Sequence, residues 1–180
     1  SDRPADGLRQ LKETGLLGQF APEFREMQGV TQDGGHLYDV WNHPLHALEA
    51  LPPHADLTLR LSVLFHDIGK PKTKTVDFEG HAHFYGHSEL GAETVGCVLT
   101  RLRFPPSRIT RVARLVEMHM RVGEYTSEWT DSAVRRLMRD AGGDAAELLA
   151  LARADRLGAN PNASVESLDE LQRRMEELLT

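Results

Sequence analysis

"LRLSVLFHDIGKPKTK", residues 59–74, is the stretch whose reading decides the rest of the chain. Leu57, Leu59, Leu61, Val63, Leu64, Phe65 and Ile68 make this region apolar on almost every side, which is the pattern of a buried helix. At its end stand His66 and Asp67. Burying such a pair is costly unless something satisfies both groups. Gly69 and Pro71 supply stop signals, so the sequence predicts a central helix over residues 55–69.

Outward from that helix the pattern is helical nearly throughout. Helices are predicted over 5–14, from about Pro22, over 38–51, 87–102, 108–120, 131–140, 145–157 and 164–179. Gly15 ends the first and Pro52-Pro53 close the third. Ser107, Thr130 and Asp144 are read as N-caps, with Gly142-Gly143 between the last two. "TQDGGH", residues 31–36, and the segment holding His54 read as loops. Residues 71–86 lack a 3.6-residue period. Their β-branched and aromatic residues around Glu79-Gly80 admit a loop or a small hairpin near 75–85. The last helix carries Leu168, Leu171, Met175, Leu178 and Leu179 on one face, to pack on this chain or on a partner. The expectation is one all-α domain over 1–180, with a core of about 36–160 and the flanking helices 5–30 and 164–179 packed on it.

Composition bounds the function. A chain of 180 residues suffices for one domain with a substantial core. Its formal net charge of −6 disfavours nonspecific nucleic-acid binding. The one cysteine, Cys97, excludes an internal disulfide framework and a cysteine-based zinc finger. We read no signal peptide and no apolar run long enough to span a bilayer. A reducing, cytoplasmic setting is expected, as a monomer or homodimer. The chain begins at Ser1 rather than methionine, so we expect a piece cut from something longer.

Several polar residues fall on predicted apolar faces. His43 lies three residues after Val40 and four before Ala47. His119 follows Leu115 and Val116, and Asp155 follows Leu148, Leu151 and Ala152. Taken singly, an inward histidine is more often a hydrogen-bonded core residue, and a buried aspartate more often a cap or an arginine partner. Taken together, these carboxylates and histidines need mutual compensation. A divalent cation meets that need, because imidazole and carboxylate suit manganese, iron, cobalt, nickel or zinc. The lack of thiolates argues against a structural zinc site.

The ordered set His43, His66-Asp67 and Asp155 resembles the H…HD…D signature of the HD-domain metal-dependent phosphohydrolases. The likeness extends to "LLGQFAPEFREMQGVTQ", "YDVWNHPLHALEAL", "FHDIGKP", "HFYGHSELGAE", "LRFP", "VEMH" and "WTDSAVRRLMRDAG…ELLALARAD". These are similar to the HD region of bacterial CCA-adding enzymes and poly(A) polymerases, the tRNA nucleotidyltransferase superfamily, over roughly residues 15–160. The resemblance implies an HD-domain helical bundle. It also implies a metal held by His43, His66, Asp67 and Asp155, and a second metal that His87 and His119 would hold, with Asp67 bridging. Manganese, nickel, cobalt, iron or magnesium would serve. One departure stands out: residues 1–35 are far too short for the nucleotidyltransferase head, with its Gly-Ser motif and paired carboxylates. The chain is expected not to add nucleotides on its own. It is either an excised HD domain or a stand-alone descendant.

Two functional expectations follow from that resemblance. The first is a metal-dependent phosphohydrolase acting on a nucleotide ester, of phosphatase, nucleotidase or 2′,3′-cyclic phosphodiesterase type. Asp67 and Lys70 would carry the chemistry, and Lys70, His83, Arg101 and Arg103 would bind substrate. Lys70 also reads as a favourable cation at a helix C-terminus. The arginines also read as a solvated helix face, and His81 and His83 as exposed loop residues. His46 is a candidate support for His43. Trp41 and Trp129 read as packing residues, with base stacking as the other possibility. The second expectation is a tRNA-binding HD module whose metal is mainly structural. A scaffold with a vestigial site is disfavoured, because the ligand positions are all filled.

Overall fold

The computed structural model describes residues 3–33 and 37–180. Gly34, Gly35 and His36, part of the predicted loop and the start of the predicted core, lie outside the described residues. The order is α1 (Pro4–Glu13), α2 (Leu17–Phe20), α3 (Glu23–Glu26), α4 (Asn42–Glu49), α5 (Leu57–Phe65), α6 (Lys70–Thr73), β1 (Thr75–Val76), β2 (Ala82–His83), α7 (His87–Arg101), α8 (Pro106–Gly123), α9 (Asp131–Ala141), α10 (Ala145–Ala159) and α11 (Glu166–Glu177). The fold is all-α with one small antiparallel hairpin, in which Thr75 faces His83 and Val76 faces Ala82.

At the centre α5 is wrapped by α4, α8 and α10, and α7 packs on α8. The apolar residues that the sequence places on inner faces are buried here, among them Leu45, Val63, Phe65, Leu115, Val116, Leu148 and Leu151. Trp41 is buried edge-on against Phe24, with ring centroids 5.9 Å apart. The leucine face of α11 packs on this chain: Leu168, Leu171 and Met175 are buried, while Leu179 is exposed.

Several boundaries differ from expectation. The central helix spans Leu57–Phe65, capped by Asp56, whose carboxylate accepts the Leu59 amide at 2.8 Å. Residues 66–69 are turns closed by Ile68 and Lys70 amides donating to the Phe65 and Asp67 carbonyls. Gly69 has φ −79 and is no left-handed cap. Pro71 sits in the first turn of α6, where no amide is needed. The reason is tertiary: a Cβ on Gly69 would lie 2.2 Å from the His87 carbonyl oxygen, so the chain turns where it meets α7. Residues 38–41 precede α4 rather than joining it. Pro106, not Ser107, opens α8, since proline is tolerated in a first turn. Asp144 makes no side-chain cap. Its carboxylate instead accepts Nε of Arg111 at 2.8 Å.

Helices α4 and α10 touch at Gly158, where an added Cβ would come within 2.6 Å of the Ala47 backbone. Gly158→Ala gains about 1 kcal/mol of helix propensity. Overpacking against backbone costs more, about 3 kcal/mol or above. We expect a net loss of about 2 kcal/mol, read as a melting temperature about 4–8 °C lower. An unchanged melting temperature would mean that the two helices separate freely.

Candidate metal centre

Five elements deliver six candidate donors, two of them from the turn after α5. His43 lies in the first turn of α4, fixed by Asp39, which accepts the Asn42 amide at 2.7 Å. His66 and Asp67 occupy the turn after α5. Gly86, at φ 77, turns the chain into α7 so that His87 is its first residue. His119 projects from α8 and Asp155 from α10. The site thus sits where five elements converge.

Two foci share Asp67. At the first, Nε2 of His43 lies 3.1 Å from Nε2 of His66 and 3.6 Å from Oδ2 of Asp67. Oδ2 of Asp67 is 3.3 Å from Nε2 of His66, and Oδ1 of Asp155 is 2.7 Å from Nε2 of His43. At the second, Nε2 of His87 and Nε2 of His119 are 3.2 Å apart. They lie 3.6 and 4.0 Å from Oδ1 of Asp67. His43, His66 and Asp67 form one grouping that could hold a metal ion, and Asp67, His87 and His119 form another. Asp155 keeps 32% side-chain exposure, so it lies at the rim and not deep in the core as expected.

The tautomers fit a cation. Nδ1 of His66, His87 and His119 each donates to the carbonyl three residues earlier, Val63, Phe84 and Val116, at 2.7, 2.8 and 2.6 Å. A donated Nδ1–H leaves the Nε2 lone pair for the ion, the usual arrangement of ligating histidine. Each of these imidazoles therefore turns Nε2 toward Asp67, where it can bind an ion once unprotonated.

A family model described as the HD domain matches residues 34–160. The chain belongs to the HD domain family. Relatives share it at useful identity. The A-adding tRNA nucleotidyltransferase of Deinococcus radiodurans is 40% identical over 166 residues, which is 90% of this chain and 37% of the relative. The CC-adding tRNA nucleotidyltransferase of Thermus thermophilus is 47% identical over 124 residues, 67% of this chain and 29% of the relative. A multifunctional CCA protein of Halorhodospira halophila is 31% identical over 120 residues, 65% of this chain and 28% of the relative. The HD domain chain thus spans well under half the length of the relatives it matches.

Electrostatics in this HD domain follow the geometry. Burial disfavours charge on His66, but the carboxylates of Asp67 and Asp155 outweigh it and raise the imidazole to about 10. Burial likewise opposes charge on Asp67, and His66, Lys70 and His43 hold it well below the usual carboxylate range. Asp155 is lowered in the same way, against burial, by His66 and His43. Burial lowers His87. Burial and the charge of His66 lower His119 to about 4. A proton on His66 therefore stands among carboxylates, where a cation would stand.

The centre opens onto a cleft of about 990 Å³. Lys70 reaches it but is committed: Nζ is 2.8 Å from Oδ2 of Asp67 and donates to Oε1 of Gln32 at 2.6 Å. His83 also lines the cleft. Arg101 and Arg103 are not among its lining residues, and Arg101 forks onto Glu23 at 3.0 and 2.8 Å. The arginines that line it are Arg114 and Arg121. Their signal was present in the sequence: Arg114, Met118 and Arg121 recur at helical spacing beside the His119 stripe. Gln32 had no such signal, because only tertiary contact brings its loop to Lys70. Of the other sequence candidates, His46 stacks on Tyr38 at 3.8 Å, and Trp129 packs edge-on against Tyr125. Among the described residues no helix is long and apolar enough to cross a membrane.

Close approach at Gly69 yields a selective prediction. Gly69→Ala must displace the His87 carbonyl, which a Cβ would meet at 2.2 Å. We expect the ion at the His87–His119 focus to weaken by about 10–100-fold, as for a lost supporting contact. The His43–His66 focus should change less. Calorimetric titration with Mn²⁺ resolves the two, and equal weakening would refute the assignment.

Proposed function

We propose that this chain is the HD module of a tRNA-end-processing protein, contacting tRNA while divalent metal at the Asp67 centre ties the surrounding helices together. The observation that carries this reading is the identity of 40% over 90% of the chain to an enzyme named for adding A to tRNA. His43, His66, Asp67 and Asp155 would hold one ion, and Asp67, His87 and His119 a second. The chain's own contribution is positional: α4, α7, α8, α10 and the turn after α5 are pinned at one point.

A second reading is favoured by one further feature. Four of the candidate donors, Asp67, His87, His119 and Asp155, line an open cleft, and Lys70 lines it with them. That arrangement supports hydrolysis of a phosphate ester, in which a bound divalent ion would supply Lewis acidity and a more acidic water. Lys70, held by Asp67 and Gln32, would present a point charge to a phosphoryl oxygen. His83, held by Asp77 at 2.8 Å, would stand at the edge of the cleft.

Titration of tRNA by fluorescence anisotropy over a range of salt tests the first reading. We expect affinity to fall by a log–log slope of about −0.7 to −0.9 per phosphate contacted. Removing Arg114 and Arg121, the arginines that line the cleft, should flatten it, and the absence of any tRNA binding would defeat the reading. A panel of nucleotide phosphomonoesters and cyclic phosphodiesters, with Mn²⁺, Co²⁺, Ni²⁺ and Mg²⁺, tests the second. No turnover above an Asp67→Ala control would dispose of it.

A further inference from the structure

One wall of the cleft carries an aromatic pair that the metal centre does not use. Tyr85 lines the cleft yet is 78% exposed. Its ring lies parallel to that of His83, with centroids 5.4 Å apart and 7° between planes. His83 is itself anchored. Its Nε2 lies 2.8 Å from Oδ2 of Asp77, while Oδ1 of Asp77 accepts the Glu79 and His81 amides at 2.9 Å each. Tyr85 Oη lies 3.4 Å from Nδ1 of His83. One side of the tyrosine ring is therefore backed by a fixed imidazole, and most of the ring faces solvent.

A ring held in that way is a surface for another flat π-system, and every nucleobase presents one. Position argues for the same ligand. Tyr85 is two residues before His87, with Gly86 between them. Two residues of chain reach at most about 7 Å. A base stacked on Tyr85 would leave its phosphate near Lys70 and the second focus. A bare phosphate or a sugar phosphate has no use for the ring.

We propose that Tyr85, backed by His83, is a base-stacking platform, so the ligand of the cleft is a phosphate joined to an unpaired nucleobase. The proposal rests on the reading that a tRNA end or a nucleotide enters this cleft.

The test titrates the Mn²⁺-loaded protein with AMP, CMP and ribose 5-phosphate by calorimetry. We expect both nucleotides to bind about tenfold tighter than ribose 5-phosphate, the scale of one base–aromatic stack. Tyr85→Ala should erase that preference and leave ribose 5-phosphate affinity unchanged. Tyr85→Phe and Tyr85→Trp should keep it. The exposed position predicts an unaltered fold, checked by circular dichroism. Equal affinity for AMP and ribose 5-phosphate, or a preference that survives Tyr85→Ala, would overturn the platform alone. Failure of the sugar phosphate, the nucleotides and tRNA to bind at all would overturn the proposed function and the platform together. The source of the base is read from tRNA with an intact or shortened 3′ end. With the nucleotide preference lost, a Tyr85→Ala defect that also appears on the intact but not the shortened tRNA end supports the RNA terminus, and one that leaves both tRNAs unaffected supports a free nucleotide.

Discussion

Replacing Asp67 with alanine is expected to remove divalent-ion binding at both foci and to weaken the fold in the same step. Its two oxygens are divided between the clusters, with Oδ2 toward His43 and His66 and Oδ1 toward His87 and His119. Among the described residues, Asp67 is the member common to both groupings. Asp67 is also the buried partner of Lys70 and a neighbour of the buried His66. Removing one member of a buried ion pair leaves uncompensated charge and costs about 3–5 kcal/mol. At about 2–4 °C per kcal/mol, the melting temperature should fall by roughly 10 °C. Ion affinity should fall more than about 100-fold at each focus, beyond what loss of a mere supporting group costs. Asp67→Asn keeps the shape and separates the two effects: folding should be better preserved while the ions are still lost. His43→Ala and His119→Ala should each remove one ion and spare the other. Metal analysis of the dialysed proteins checks all four. An Asp67→Ala protein retaining an ion at wild-type affinity would refute the bridging role.

The second large effect is on pH. In metal-free protein His66 is raised to about 10 from an ordinary 6.5. Between those values the folded state holds a proton that the unfolded state has released, so stability declines as pH rises from about 6.5 to about 10. His119 runs the other way. It is lowered to about 4, so between about 4 and 6.5 the unfolded state binds the extra proton and stability declines as pH falls. Asp67 and Asp155, both lowered, contribute stability that is present above the ordinary carboxylate range and lost on acidification below it. Metal-free protein should therefore be most stable near pH 6.5, with each histidine contributing a slope of about 1.4 kcal/mol per pH unit. A divalent ion must displace the His66 proton, so its affinity should rise about tenfold per pH unit from neutrality towards pH 10. Loading with metal should flatten the alkaline limb. Chemical denaturation with and without chelator across pH 5–9.5 measures this. A metal affinity independent of pH would show that His66 carries no proton in the free protein.

Much of the fold was readable because burial imposes period on sequence. The stripes through His43 and His119 marked inward faces and both side chains are buried there, whereas Asp155, on the third stripe, lies at the rim. The hairpin near residues 75–85 was legible from the loss of helical period around Glu79-Gly80. Local signals failed where tertiary contact outweighed them. Gly69 looked like a cap but is small because His87 presses against it. Asp144 looked like a cap but answers Arg111 from another helix. The sequence drew attention to Arg101 and Arg103 by number, whereas Arg114 and Arg121 line the cleft. Charge counts carry no direction, and direction comes from how α7 and α8 pack.

By itself the sequence determined the family and pointed to the candidate donors. His43, His66-Asp67, His87, His119 and Asp155 stand in order, and apolar neighbours oblige most of them to face inward. The family resemblance implied how those donors divide, and only the tertiary structure decided the distances between them. Asp67 sits at the end of a helix that α4, α8 and α10 surround, and α7 meets the turn that follows, so its two oxygens face opposite pairs of histidines. Spacing along a chain sets which face a side chain takes. The separation of atoms brought together from distant helices depends on packing, and packing made two foci from one aspartate.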